Sequence, residues 1–218
     1  MHGLREDLFR MGGRCEAILE KALRSVWERD TLLAAEVKVD DLEIDRLDVA
    51  IDTGVLKALA LQAPVAEDLR TVIAIKMIAT DLERVGDLAR NIAKSGGRIA
   101  AQDIRVPLPA SLMPLSAAAQ AALRRSLDAF SRGDTDLARS VLDADDEIDA
   151  QEDEVVLELL AELRRYPEAA SQEVDAILVA KNLERVADHA TNIAENVILV
   201  AEARNIKHES KLGANPAE

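Results

Sequence analysis

The chain has 218 residues, 49% of them apolar and only 2% aromatic, and its 41 Asp and Glu outnumber 27 Lys and Arg for a formal charge of −14. That length allows one or two compact domains with a real core, and apolar mass made mostly of Ala, Leu, Val and Ile leans helical. The negative charge excludes a general binder of nucleic acid or anionic membrane, both of which need a positive surface. Phe9, Trp27, Phe130 and Tyr166 are too few to build a stacking platform for single strands.

The first segment, about 4 to 28, carries Leu4, Leu8, Met11, Cys15, Ile18, Leu19, Ala22 and Val26 at helical spacing. Cys15 is the single cysteine, so it reads as a small buried apolar residue, with no disulfide and no thiolate cluster within one chain. The start, MHGLREDLFRMGG, is charged and lacks the apolar stretch of a signal peptide. Asp30-Thr31 is an N-cap candidate opening a second helix to about Gln62. Pro64 marks the turn into a third, from about Ala66 to Ser95, which the Gly96-Gly97 pair is expected to end. These three form an antiparallel bundle with long members of ~45 Å at ~1.5 Å per residue.

A linker follows over 98–114. The run Val106 to Leu123 is uncharged, but Pro107, Pro109 and Pro114 rule out a membrane span. A helix is then expected from Leu115 to Phe130. Asp134-Thr135 supplies a cap for one that continues to about Arg165, and Pro167 introduces a last one to about Ala203. The pattern is a duplication. Asp41, Glu43, Ile44 and Asp45 recur 104 residues later as Asp145, Glu147, Ile148 and Asp149. DLERVGDLARNIAKS (81–95) recurs 101 residues later as NLERVADHATNIAEN (182–196), with 9 of 15 positions identical. The expected fold is therefore all-α, two tandem antiparallel three-helix bundles over 1–97 and 115–203, with a flexible tail over 204–218.

The repeated segments carry an electrostatic oddity. Asp41/Asp45, Glu83/Asp87, Asp145/Asp149 and Glu184/Asp188 are all like-charged pairs at i, i+4. That spacing puts both carboxylates on one helix face, where they repel by ~0.2–0.5 kcal/mol. A single pair reads as a solvated acidic face, but four at corresponding positions do not. If the second and third helices of a unit are neighbours, their pairs converge on one patch that needs a cation. Oxygen ligation without Cys points to Fe, Mn, Mg or Ca, with Zn also open, and to one site per half. Asn91 and Asn192 lie four residues beyond Asp87 and Asp188, where each adds a carbonyl ligand or a hydrogen bond behind the carboxylates. Arg84 and Arg185 recur too and read first as salt-bridge partners of a neighbouring helix, with anion binding as the second reading. His189 is rotated ~100° from Asp188, off the carboxylate face.

LALQAPVAEDLR (59–70), DLERVGDLARNIA (81–93) and NLERVADHATNIAENV (182–197), with the acidic starts VDDLEID (39–45) and DADDEID (143–149), resemble the PhoU family. The resemblance spans about residues 4 to 200, and two E-R-V-x-D cores in tandem make it specific. It implies paired three-helix bundles, often dimeric, whose E/D-x-x-x-D motifs hold multinuclear iron or zinc. Those motifs fall here on Asp41, Asp45, Glu83 and Asp87, and on Asp145, Asp149, Glu184 and Asp188. It further implies a cytoplasmic regulator that restrains the phosphate-starvation response through a sensor histidine kinase and limits uptake through the transporter ATPase subunit. The family commonly ends on a Gly turn followed by a basic residue and His, whereas this chain reads AEARNIKHES with Ala203 at the Gly position.

The expected function is thus a non-enzymatic, metal-bearing adaptor that reaches the membrane only through its partners. The alternative is a di-metal carboxylate oxidase or metal store, whose helical sites use Glu-x-x-His; Glu83 and Glu184 are followed three residues later by Gly86 and Ala187 instead. A bare acidic scaffold for basic partners is the third reading. No P-loop or activated nucleophile is present.

Overall fold

The computed structural model describes residues 2–103 and 106–207, and every long element in them is an α-helix. Helices α1 (His2–Trp27), α2 (Thr31–Gln62) and α3 (Ala66–Ala100) form one antiparallel unit. Helices α4 (Leu112–Arg132), α5 (Thr135–Leu142), α6 (Asp145–Arg165) and α7 (Ala170–Glu202) form the other, with a 3-10 turn over Pro167–Ala169. Among the described residues no helix is long and apolar enough to cross a membrane.

Both cap candidates function as caps. Asp30 accepts from the backbone N–H of Leu32 at 2.8 Å and Leu33 at 3.1 Å, and Asp134 accepts from that of Leu137 at 2.9 Å. Pro114 sits in the first turn of α4, where its missing N–H costs nothing.

Three boundaries differ from expectation. The Gly96-Gly97 pair does not end α3, which runs on to Ala100. A Cβ at Gly96 would lie 2.7 Å from the Ser25 hydroxyl and 2.9 Å from Val26, so this glycine permits α1 to cross closely. Helix α4 begins at Leu112 rather than Leu115. The counterpart of α2 is broken into α5 and α6 at Asp143-Ala144. The acid run DADDEID would be repulsive inside a helix; the break turns Asp145, Asp146 and Glu147 into the first turn of α6, where the dipole favours them. Residues 208–218 of the expected tail lie outside the described residues. At Ala203, α7 stops on a left-handed residue with φ of 55°, a conformation glycine adopts more readily.

The two units share one core. It runs from Leu8, Met11, Ile18 and Leu19 of α1 through Ile75, Ile78 and Leu82 of α3 to Leu183, Val186 and Ile193 of α7. Cys15 lies fully buried in it, its thiol donating to the Leu82 carbonyl at 3.2 Å, and burial pushes the thiol well above its ordinary range. Helices α3 and α7 pack antiparallel. Arg98 near the end of α3 meets Asp175 near the start of α7, and Arg70 near the start of α3 meets the Val200 carbonyl at 3.4 Å. Phe9 of α1 and Phe130 of α4 close the other seam, with ring centroids 6.1 Å apart.

Candidate functional site

In the first unit α2 and α3 bring the expected carboxylates together. Asp41 is only 2% exposed, tucked against the bare Cα of Gly86, where a Cβ would lie 2.9 Å from its Oδ1. Arg90 bridges this patch: Nη1 donates to Asp41 Oδ2, and Nη2 donates to Asp87 Oδ1 at 2.6 Å. Lys76 stands lower on α3 between Asp48, at 3.7 Å, and Asp52. Glu83 is half-buried, with Arg84 3.4 Å away. Asp45 is exposed.

Burial raises Asp41 above the usual carboxylate range, and Arg90 opposes that shift. Asp48 is raised by burial and opposed by Lys76 in the same way. Glu83 is raised by burial and then by Asp87, with Asp48 and Asp45 adding repulsion. The first patch is therefore crowded with acid, and the protein's own Arg90 and Lys76 supply much of the counter-charge.

The second patch is built from α6 and α7 with the same acids and a different balance. Asp145 is pushed up to about 6, by burial first and then by Asp149, Asp188, Asp146 and Glu195. Among the described residues its strongest influences all push it upward, and its Oδ1 is buried without a hydrogen-bond partner. Position 191, equivalent to Arg90, holds Thr191, whose hydroxyl donates to the Asp188 carbonyl at 2.7 Å. Glu184 is raised by burial and by Asp188 and Asp149, with Lys181 opposing. Lys181 donates at 2.7 Å to Oε2 of Glu152, a residue only 2% exposed, whose Oε1 is a second buried oxygen without a hydrogen-bond partner. Asp149 and Asp188 are exposed.

The two asparagines go elsewhere. Asn192 donates to Asp81 Oδ1 at 3.2 Å, across the α3–α7 seam, and Asn91 faces a groove on the same seam. His189 also turns to Asp81, Nδ1 to Oδ1 at 2.9 Å, which ties the units together. Arg84 lies 3.4 Å from both Glu83 and Asp87 on its own helix instead of reaching a neighbouring one. Sequence reasoning passed over Arg90, Lys76, Lys181 and Glu195. The absence of a basic residue at 191 opposite Arg90 was the visible signal.

The donor set suits a hard cation, being carboxylate oxygen throughout. In the arrangement described, no group of three or more His, Cys, Asp or Glu side chains among the described residues is placed to hold one metal ion. In the first patch Arg90 stands between Asp41 and Asp87, where a metal would compete with it. Buried carboxyl oxygens without a hydrogen-bond partner lie in both patches, Oδ1 of Asp48 and Asp52 beside Lys76 in the first, and Asp145 Oδ1 and Glu152 Oε1 in the second. By donor type the residues of both patches suit a hard cation, with Arg90 and Lys76 competing for those of the first.

Comparison with known proteins converges on one family. The PhoU domain profile matches residues 8–96 and 112–197, one copy per unit. A phosphate-specific transport system accessory protein PhoU homolog of Xylella fastidiosa strain 9a5c is 39% identical over 196 residues, covering 89% of this chain and 81% of that one. Its namesake in Pseudomonas aeruginosa PAO1 is 31% identical over 208 residues, covering 95% and 86%. The crystal structure of PhoU from Pseudomonas aeruginosa superposes with a TM-score of 0.90 at 32% identity, covering 93% of this chain and 97% of the other. That of the phosphate transport system regulatory protein PhoU from Streptococcus pneumoniae gives 0.87 at 25% identity, covering 94% and 97%.

Proposed function

Because the chain belongs to the PhoU family, we propose that it is a cytoplasmic, non-enzymatic accessory of a phosphate transporter. It restrains the phosphate-starvation response and limits uptake, docking on the transporter ATPase subunit and on a sensor histidine kinase. The observation that carries this reading is the match of both units to the PhoU domain, in relatives named for accessory and regulatory roles. Deleting the gene should derepress phosphate-starvation genes in phosphate-replete cells, and the purified chain should retain both partners in a pull-down. Silence of those genes together with failure to bind either partner overturns the proposal. The oxidase or metal-store alternative draws no support from the relatives.

The same reading gives the carboxylates a cation: iron or zinc, with Mn, Mg or Ca as competitors, held by Asp145, Asp149, Glu184 and Asp188 and, less readily, by Asp41, Asp45, Glu83 and Asp87. Such an ion would offset part of the negative charge that the four carboxylates place on the patch. Elemental analysis of protein purified without chelator should find it. Asp145→Asn with Asp149→Asn should deplete more of it than Asp45→Asn with Asp87→Asn. Full metal content in both variants sinks the ligand assignment.

A homodimer completes the proposal. Opposite its buried face, α2 exposes Val39, Leu42, Val49 and Leu56, each half or more accessible and spaced on a heptad. Such a seam fits a second heptad seam, and Lys38 with Glu43 and Asp52 with Lys57 have the five-residue separation that pairs across a parallel two-stranded coil. Light scattering should give a dimer that Leu42→Glu with Leu56→Glu converts to monomer; a monomeric parent chain excludes it.

A further inference from the structure

A groove of about 360 Å3 lies on the α3–α7 seam, lined among others by Asn91, Lys94 and Arg98 of α3 and by Lys181, Asn182 and Arg185 of α7. Four cations therefore meet on the surface of a chain whose net charge is −14. Two of them are answered: Arg98 Nε donates to Asp175 at 2.7 Å, and Lys181 donates to Glu152 at 2.7 Å. Lys94 and Arg185 are exposed and make no ion pair or hydrogen bond among the described residues.

The duplication supplies an internal control. Since α3 and α7 are antiparallel and related by the 101-residue offset, each groove residue has a twin across the pseudo-two-fold axis. The twin of Lys94 is Glu195, that of Arg98 is Leu199, and that of Lys181 is Thr80. Arg185 is matched by Arg84, but Arg84 is turned to Glu83 and Asp87 at 3.4 Å. The twin of Asn182 is Asp81, which is taken by His189 and Asn192. Both ends of the seam pack the same backbone, yet only one is basic. The twin end packs without counterparts of Lys94 and Arg98, so the shared backbone does not dictate the basic charge at this end.

We propose that this groove binds a phosphate dianion, either free inorganic phosphate or the phosphate group of an aliphatic monoester. Two unanswered cations match the charge of a dianion. One of them is a guanidinium, whose planar fork suits phosphate oxygens, and the Asn91 amide adds a neutral donor. The volume falls at the small end of the ~300–1,000 Å3 typical of ligand sites. No aromatic ring lines it, which disfavours a nucleobase. Asp175 and Glu152 flank the cations, so an extended acidic peptide would run over like charge, whereas a compact anion touches the cations alone. The groove shares Lys181 with the second carboxylate patch, but Lys94 and Arg185 take no part in the metal reading, and failure here leaves that reading and the docking partners untouched.

Calorimetric titration of the full chain in chelator-treated buffer at constant ionic strength tests this. The probes are inorganic phosphate and glycerol phosphate, with acetate and an acidic peptide as controls. Saturable binding of either phosphate species is expected, and the tighter one identifies the source. Lys94→Gln with Arg185→Gln should weaken it at least tenfold, while Arg84→Gln on the twin side leaves it unchanged. Because a variant can fail for other reasons, NMR of the parent chain should show phosphate-dependent shifts at the Arg185 guanidinium and not at that of Arg84. Absence of binding by both phosphate species, binding untouched by the double variant, shifts at Arg84 in place of Arg185, or a response to the acidic peptide alone overturns the proposal.

Discussion

Asp41 and Asp145 hold equivalent places in the two units, and their surroundings diverge. Asp41 is buried beside Gly86 and answered by Arg90; Asp145 has Ala187 and Thr191 at those two positions and a carboxyl pushed up to about 6. A duplicated acid can thus be kept in two ways. It can be neutralised from within, which gives a rigid ion-paired helix contact, or left unbalanced, which gives a surface that demands a cation or a proton. The lesson is that a repeated motif reports a shared ancestor, while the residues around it report whether the copies still do the same work.

The largest test of that contrast is Arg90→Ala. It strands the buried Asp41 carboxylate and should cost about 3 kcal/mol, the usual scale for removing one partner of a buried pair. Thr191→Ala at the equivalent place should cost under about 0.5 kcal/mol. Urea unfolding measures both, and equal losses would break the comparison. Adding Asp41→Asn to Arg90→Ala should recover part of the loss.

Gly86→Ala comes next. Its new Cβ meets Asp41 Oδ1 at 2.9 Å and Ile44 Cδ1 at 3.2 Å, so the pair must shift, at about 1–3 kcal/mol for overpacking. The converse change, Ala187→Gly, should lose the helix-propensity difference of about 1 kcal/mol and the burial of one methyl group, about 0.8 kcal/mol more.

Asp145→Asn acts in the opposite direction and depends on pH. In the folded chain the carboxyl titrates near 6, against about 4 when unfolded, so the folded state holds the proton more tightly. Folding stability therefore falls as pH rises from about 4 through 6 and stays reduced above that. In chelator, Asp145→Asn should be more stable than the parent by about 1 kcal/mol at pH 7, discounted for partial solvent screening. The advantage should vanish below about pH 4, and a pH-independent gain would contradict it.

The smallest effect is the most direct. Thr191→Arg installs in the second unit the cation that the first one has. It should stabilise by a few tenths of a kcal/mol, as half-exposed pairs do, and should reduce the metal content of purified protein. Metal content unchanged by this substitution would separate the patch's charge balance from its ligation.

Much of this is legible in the sequence. Asp30 and Asp134 announced their helices because a capping side chain acts on backbone amides two or three residues away. The tandem units were legible because helical periodicity and repetition are written along the chain. Three local signals misled. Gly96 looked like a stop, but its lack of a Cβ serves the α1 crossing at Ser25 and Val26. DADDEID looked like mid-helix, yet repulsion among its acids is relieved by starting a helix there. Asn91 and Asn192 looked like companions of the carboxylates because i+4 spacing shares a face, but that face is wide enough to reach the α3–α7 seam.

The sequence by itself determined the helical class, the duplication, the acids at their four paired positions and the family to which the chain belongs. Each of these is set by spacing along one segment. Only the tertiary structure decided which acids are neutralised, because Arg90 reaches Asp41 over 49 residues of chain and no described cation pairs with Asp145. It also decided that Lys94 and Arg185, 91 residues apart, share one groove. Electrostatic balance is a property of distances in space, and those are fixed when α2, α3, α6 and α7 pack.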